Sequence, residues 1–174
     1  MSIVINGSGT ITGITAGGLP DATITQAELA TGVAGTGPAF SAYQSSAQSV
    51  SNASFTKVQL QTEEFDTNGN FDNTTNYRFT PTVAGYYQIN GSINFGTASG
   101  ITLSIIYKNG VRFKDGQSFQ NSAVGNSSTV SALVYLNGST DYIELYAYQT
   151  SGSSQNSGAS QNATYFQGSL VRAA

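Results

Sequence analysis

The sequence predicts an all-β fold, a sandwich or jelly roll, on three observations. Beyond Pro38 the apolar residues recur with a period of two. Turn dipeptides punctuate the same region at short intervals, and all 19 aromatic residues, ten Tyr and nine Phe, fall within it. The clearest strand runs from Tyr87 to Phe95, where Tyr87, Ile89, Gly91, Ile93 and Phe95 alternate with Gln88, Asn90, Ser92 and Asn94, as a strand with one face on a core requires. Further strands are predicted at Ala39–Tyr43, Phe55–Gln61, Tyr77–Thr80, Ile101–Lys108, Arg112–Phe113, Thr129–Leu136, Tyr142–Tyr148 and Thr164–Val171. Asn68-Gly69, Pro81, Ala84-Gly85, Asn109-Gly110, Asp115-Gly116 and Asn137-Gly138 separate them, since Gly and Asn supply the positive φ that tight turns demand.

Composition sets the surface and excludes much chemistry. Of 174 residues only 9% are charged, six Lys and Arg against nine Asp and Glu, while Ser, Thr, Asn and Gln number 69. Such a surface is neutral and polar, and 39% apolar residues suffice for one core. There is no His and no Cys, so disulfides, structural zinc, iron–sulfur clusters, thiol nucleophiles and His-based triads are excluded. Six dispersed cations form no basic stripe for phosphates or anionic lipid, so neither nucleic acid nor membrane insertion is expected. No apolar run approaches the roughly 20 residues of a membrane span, and the N-terminus has neither a basic n-region nor a continuous h-region, so no export signal is expected.

The chain divides near Pro38 into an N-terminal segment, residues 1–37, and a head, residues 38–174. The segment holds eight of the 20 glycines, no aromatic residue and two charges, Asp21 and Glu28. Its scattered apolar residues, Ile3, Ile5, Ile11, Ile14, Leu19 and Leu29 among them, cannot bury enough surface to order it alone. An extended arm that docks on a partner is the expectation, with a Thr25-x-x-Glu28 capping box starting one short helical turn.

One predicted strand behaves differently from the rest. In Tyr142–Tyr148 the core face takes Ile143, Leu145 and Ala147, yet the opposite face still presents Tyr142, Tyr146 and Tyr148. Leu133 and Tyr135 give the strand expected beside it the same two-sided character. Tyrosine couples large apolar area to a polar tip, so Tyr135, Tyr142, Tyr146 and Tyr148 are read as a subunit interface.

The remaining candidates are polar. Gln149–Ala163 has no aliphatic residue larger than Ala, and Ser118–Ser128 is similar; both read as solvated loops. The functional alternative is a receptor-contact apex in which Ser151, Gln155, Asn156 and Gln161 bond sugar hydroxyls of a host-surface glycan. Glu63, Glu64, Asp66 and Asp72 offer oxygens for calcium, but an EF-hand would need Gly at loop position 6 and a closing Glu where Tyr77 stands. A structural turn is the expectation there, with no metal and no cofactor. No Gly-x-Ser-x-Gly elbow occurs and no His can activate a Ser, so no enzyme activity is expected; a carbohydrate-degrading pair of carboxylates would need a cleft that a sandwich edge loop rarely provides.

Six landmarks in order resemble the globular head of the C1q family, within the C1q and tumour necrosis factor superfamily. They are Pro38-Ala39-Phe40-Ser41-Ala42; Phe65-Asp66 with Asn70-Phe71-Asp72; Phe79-Thr80-Pro81 with Ala84-Gly85-Tyr86-Tyr87; Lys108-Asn109-Gly110; Leu133-Val134-Tyr135-Leu136-Asn137-Gly138; and Tyr165-Phe166-Gln167-Gly168-Ser169-Leu170. The resemblance covers about three quarters of the chain and implies a C1q/TNF-like jelly-roll sandwich of ten strands, both termini at one end, assembled as a homotrimer. Two departures stand out: Gly138-Ser139-Thr140-Asp141 replaces the family's Gly-Asp, which suggests a longer turn, and no Gly-X-Y repeat precedes the head.

The leader is similar to openings of tail-fibre-like and other virion proteins of tailed bacteriophages, on Gly7-Ser8-Gly9-Thr10-Ile11-Thr12-Gly13-Ile14, Gly18-Leu19-Pro20-Asp21 and Thr25-Gln26-Ala27-Glu28-Leu29-Ala30. Together the two resemblances imply a structural protein of the virion surface, a short tail-fibre or adhesin component whose arm docks on other virion proteins of tail or capsid. A capsid decoration (cement) protein is the alternative, and a soluble bacterial lectin-like binding module a further one.

Overall fold

The computed structural model describes residues 4–5, 11–12, 37–96, 100–116, 119–120 and 126–174. The chain forms two units, Met1–Thr36 and Gly37–Ala174. In the first, β1 (Val4–Ile5) and β2 (Ile11–Thr12) pair antiparallel, with Val4 opposite Thr12 and Ile5 opposite Ile11. Ile3, Ile14, Leu19, Leu29 and the expected turn at Thr25–Glu28 lie outside the described residues.

The second unit is all-β. One sheet has five strands in the order β13 (Asn126–Asn137), β9 (Ala84–Phe95), β16 (Tyr165–Ala173), β3 (Ala39–Tyr43) and β6 (Thr62–Asp66). The facing sheet runs β11 (Val111–Asp115), β10 (Ile101–Lys108), β14 (Ile143–Gln149), β8 (Arg78–Phe79) and β7 (Phe71–Asp72). Beside that path β12 (Phe119–Gln120) adds to β10 and β5 (Thr56–Lys57) to β14. A separate pair, β4 (Ser49–Val50) and β15 (Gln155–Asn156), closes one end. β3 and β16 lie antiparallel, Ala39 opposite Ser169, and the Leu170 amide donates to the Pro38 carbonyl at 3.0 Å, so the head begins and ends together.

The core lies between the sheets, built by the alternation the sequence shows. Tyr87, Ile89, Gly91, Ile93 and Phe95 all point inward from β9. Phe40 stacks on Phe79 at 4.3 Å and on Phe71 at 5.1 Å, while Phe166 meets it edge-on at 5.4 Å. Each such ring removes apolar area worth about 1.5–3 kcal/mol. Gly91 admits the close approach of the second sheet, since a Cβ there would meet the Leu145 side chain at 2.7 Å. Tyr87 is fully buried; its hydroxyl donates to the Val83 carbonyl at 2.7 Å, and burial pushes its phenol up to about 12.

Three expectations change. The strand expected over Phe55–Gln61 pairs only through Thr56–Lys57, although Val58 and Leu60 stay buried. Thr62–Asp66, in the acidic stretch, is an edge strand on β3. The strands carrying Tyr135 and Tyr146 are not neighbours: β13 pairs with β9, β14 with β10, β8 and β5, and the two lie in opposite sheets. The chain crosses between the sheets at Gly138–Tyr142, where Asn137 Oδ1 accepts the amides of Ser139, Thr140 and Asp141 at 2.9–3.0 Å.

Candidate interaction surfaces

Chain alternation gives each sheet an outer face, and the two differ. On the five-stranded sheet Leu133 is opposite Gln88, and Tyr135 opposite Tyr86, its ring centroid 5.5 Å away. Leu133 is 56% exposed, Tyr135 44% and Tyr86 42%, with Val171 at 60% in the bulge of β16. The middle of this face is a band of uncharged polar groups. Gln88 Nε2 donates to Ser131 Oγ at 2.9 Å, and Ser131 Oγ donates to Asn90 Oδ1 at 2.9 Å. Gln88, Asn90, Gln167 and Ser169 line a shallow groove walled by Phe65, half exposed on β6. Large apolar side chains left open beside a neutral polar band are what an association surface requires.

On the other sheet the outward tyrosines are packed by neighbouring side chains, while Val111 and Phe113 on the edge strand stay exposed. Tyr146 stacks on Tyr107 with centroids 3.8 Å apart, and Tyr148 stacks on Phe55 at 4.7 Å. The Arg112 guanidinium lies 4.8 Å from the Phe55 ring and pairs with Asp115 at 2.5 Å; that of Arg78 lies 4.3 Å from the Tyr142 ring. Glu144, nearly buried, pairs with Lys57 at 2.5 Å. Beneath this layer Ile105, opposite Tyr146, is fully buried outside the main core. Burial, then the Glu144 charge, pushes the Tyr146 phenol up. Of the four tyrosines expected at one interface, Tyr135 therefore lies on the open face and Tyr142, Tyr146 and Tyr148 on the covered one. The sequence signal missed was Tyr86, whose place in the Tyr86-Tyr87 pair puts it outward while Tyr87 goes in.

The polar stretch Gln149–Ala163 is largely solvent-exposed, as a solvated loop would be, but it is anchored at Gln149 and at 155–157. Gln149 is fully buried; its Nε2 donates to the carbonyls of Val50 at 3.0 Å and Ser153 at 2.8 Å, and its Oε1 accepts the Ser151 amide at 2.7 Å. Ser157, also buried, donates to Gln44 Oε1 at 2.6 Å, and Gln155–Asn156 pair with Ser49–Val50. Buried polar groups that find such partners hold a segment without any aliphatic residue. Ser151 and Gln155 are half-buried in this arrangement; Asn156 and Gln161 remain exposed. Most of Ser118–Ser128 lies outside the described residues.

After the β6 strand, which holds Glu63, Glu64 and Asp66, the acidic stretch forms turns. Asp66 Oδ2 accepts the Phe71 amide at 2.7 Å and Glu64 accepts the Ser41 hydroxyl at 2.6 Å. Asp72 accepts the amides of Thr74, Thr75 and Asn76 at 2.9–3.1 Å and the Asn76 carboxamide at 2.7 Å. The Thr75 amide first, with its neighbours, holds the Asp72 carboxyl well below the usual carboxylate range against the opposing effect of burial. Glu63 goes the other way, pushed up by burial and then by Asp66. Among the described residues no three acids converge as a metal cage would need, and no helix is long and apolar enough to cross a membrane.

This arrangement recurs in solved structures. The globular domain of zebrafish complement 1qA protein is similar, with TM-score 0.61 at 18% identity over 79% of this chain and 99% of that one. Murine APRIL gives 0.62 at 11% identity, over 78% and 99%. The head has the C1q/TNF jelly-roll fold. The PRD1 vertex protein P5 shares this jelly roll, with TM-score 0.58 at 15% identity over 79% and 99% of the two chains. No protein-family model and no curated protein matches the sequence. The Gly138–Asp141 turn is stabilised locally: Asp141 accepts Asn109 Nδ2 at 2.8 Å and pairs with Lys108 at 2.9 Å, and both lower its carboxyl pKa.

Proposed function

We propose that this chain is a non-enzymatic structural protein of a tailed-bacteriophage virion surface, a homotrimer whose arm docks on other virion proteins and whose head is presented outward as a short tail-fibre or adhesin component. The observation that carries the trimer is the open face of the five-stranded sheet, with Leu133, Tyr135, Tyr86 and Val171 uncovered on a fold shared with the complement 1qA globular domain. The particle context is supported by the leader's resemblance to virion proteins and by the fold shared with a vertex protein. Host-surface glycan is assigned to the exposed Asn156 and Gln161, because the Ser151 hydroxyl donates to the Ser153 carbonyl and Gln155 Nε2 to Ser153 Oγ.

A chain beginning at Pro38 tests the reading. It should keep the trimer and its melting temperature but fail to join particles that lack the native protein; joining them would move the docking surface to the head. The second reading, a capsid decoration protein, is favoured by the same likeness to a vertex protein and by the head following the arm directly at Gly37. Copy number separates the two: a few trimers per particle mean tail, hundreds mean shell.

A further inference from the structure

Three Asn-Gly dipeptides stand in turns of the head, and the structure holds them differently. Cyclisation at such a site needs the Gly amide nitrogen to reach the preceding Asn Cγ, which requires a carboxamide not pinned at both its oxygen and its nitrogen. Asn137 is fixed at both ends: its Oδ1 accepts three backbone amides and its Nδ2 donates to Thr140 Oγ1 at 2.8 Å. Asn109 is fixed as well, its Oδ1 accepting the Tyr142 amide at 2.9 Å and its Nδ2 donating to Asp141 at 2.8 Å. Asn68 is exposed, and neither its Nδ2 nor the Gly69 amide has a hydrogen-bond partner among the described residues. Gly69 has a φ of +63°, and nothing lies within 4 Å of the position its Cβ would take. The Thr67 hydroxyl is 2.8 Å from Asn68 Oδ1, the nearer of its two acceptors, where it polarises the carbonyl.

We propose that Asn68 is a self-modification site, converted to aspartate and isoaspartate by its own backbone with the Thr67 hydroxyl activating the carbonyl. The Gly69 nitrogen gives its proton to solvent base and bonds to Asn68 Cγ. The Cγ–Nδ2 bond breaks, and the amide nitrogen leaves as ammonia once protonated by water. Water then opens the succinimide at either carbonyl, and nothing is oxidised or reduced. The product places a new carboxylate beside Asp66 in the turn from β6 to β7, which joins the two sheets, and its iso form adds one methylene to the main chain there.

The full-length protein, aged in mildly alkaline heavy-oxygen water and mapped peptide by peptide by mass spectrometry, tests this. Among the Asn-Gly peptides of the folded head, isotope-labelled conversion should be confined to Asn68; in denaturant Asn90, Asn109 and Asn137 should convert as well. Thr67→Val should slow conversion at Asn68 by up to about tenfold, the rate equivalent of one hydrogen bond, and Thr67→Ser should restore it. Conversion at Asn109 or Asn137 as fast as at Asn68 in the folded protein, an unmodified Asn68, or an unchanged rate in Thr67→Val would overturn the assignment. A melting curve for Thr67→Val that matches wild type keeps loss of folding apart from loss of the hydroxyl, which also bonds the Ala39 amide and carbonyl.

Discussion

Tyr135 and Tyr146 sit on long strands of similar alternation, one on each outer face of the head, and meet opposite fates. Tyr135 has Tyr86 and Leu133 beside it and the Lys108 ammonium 5.7 Å from its ring centroid, and stays 44% exposed. Tyr146 has Tyr107 stacked on it and Lys57 and Ile105 opposite it. Whether a tyrosine is free for a partner depends on what the adjoining strands place next to it. That depends on strand order, which periodicity within one strand does not encode.

The largest expected effect separates the two faces directly. Leu133→Asp with Tyr135→Asp would bury charge in every copy of a self-associating face, so the head should sediment as a monomer. Tyr146→Asp should leave the sedimenting species unchanged while lowering the melting temperature. If Tyr146→Asp dissociates the head and the Leu133/Tyr135 variant does not, the roles of the two faces are exchanged.

The next effect asks how far the self-covered state extends. Gln149→Ala leaves the buried Val50 carbonyl without its donor and should cost about 3 kcal/mol in denaturant unfolding, with no change in assembly. A cost below about 0.5 kcal/mol, the usual size for a surface change, would mean that Gln149 does not anchor the stretch Gln149–Ala163. Smaller again, Tyr146→Ala removes the stack on Tyr107 and uncovers Ile105, for about 2 kcal/mol. Tyr135→Ala should cost little in a head already monomeric and much more in the trimer.

Most of the sandwich was legible in the sequence because its central strands alternate cleanly: Ala39–Tyr43 and Ile101–Lys108 appear with the expected bounds, and Tyr87–Phe95 needs only three more residues at its start. The edge strand Thr62–Asp66 was not legible, since an exposed edge carries Glu63, Glu64 and Phe65 without an apolar period. The anchoring of the polar stretch after Gln149 was not legible for a related reason: hydrogen bonding to the 44–50 segment does the work that aliphatic burial does elsewhere, and composition cannot show which amides will find partners. Of the candidate interface, Tyr135 and Leu133 were legible as outward apolar residues, but their separation from Tyr146 needed the crossing at Gly138–Tyr142.

The smallest expected effect is a pH dependence confined to the covered face. Asp72, on β7 opposite Arg78, has its carboxyl held below the usual range by the amides of Thr75, Thr74 and Asn76. A group depressed in the folded state stabilises it above the unfolded pKa of about 3.9 and loses that contribution as pH falls through the folded value. The melting temperature should therefore begin to fall below about pH 4, and Asp72→Asn should lower stability at neutral pH by about 1 kcal/mol while flattening that acid limb. Leu133, Tyr135, Tyr86 and Val171 carry no carboxyl, so trimer mass should be the same for wild type and Asp72→Asn wherever both are folded. A variant that dissociated at a pH where its wild type stayed trimeric would tie the turn at Asp72 to the open face and end the separation between them.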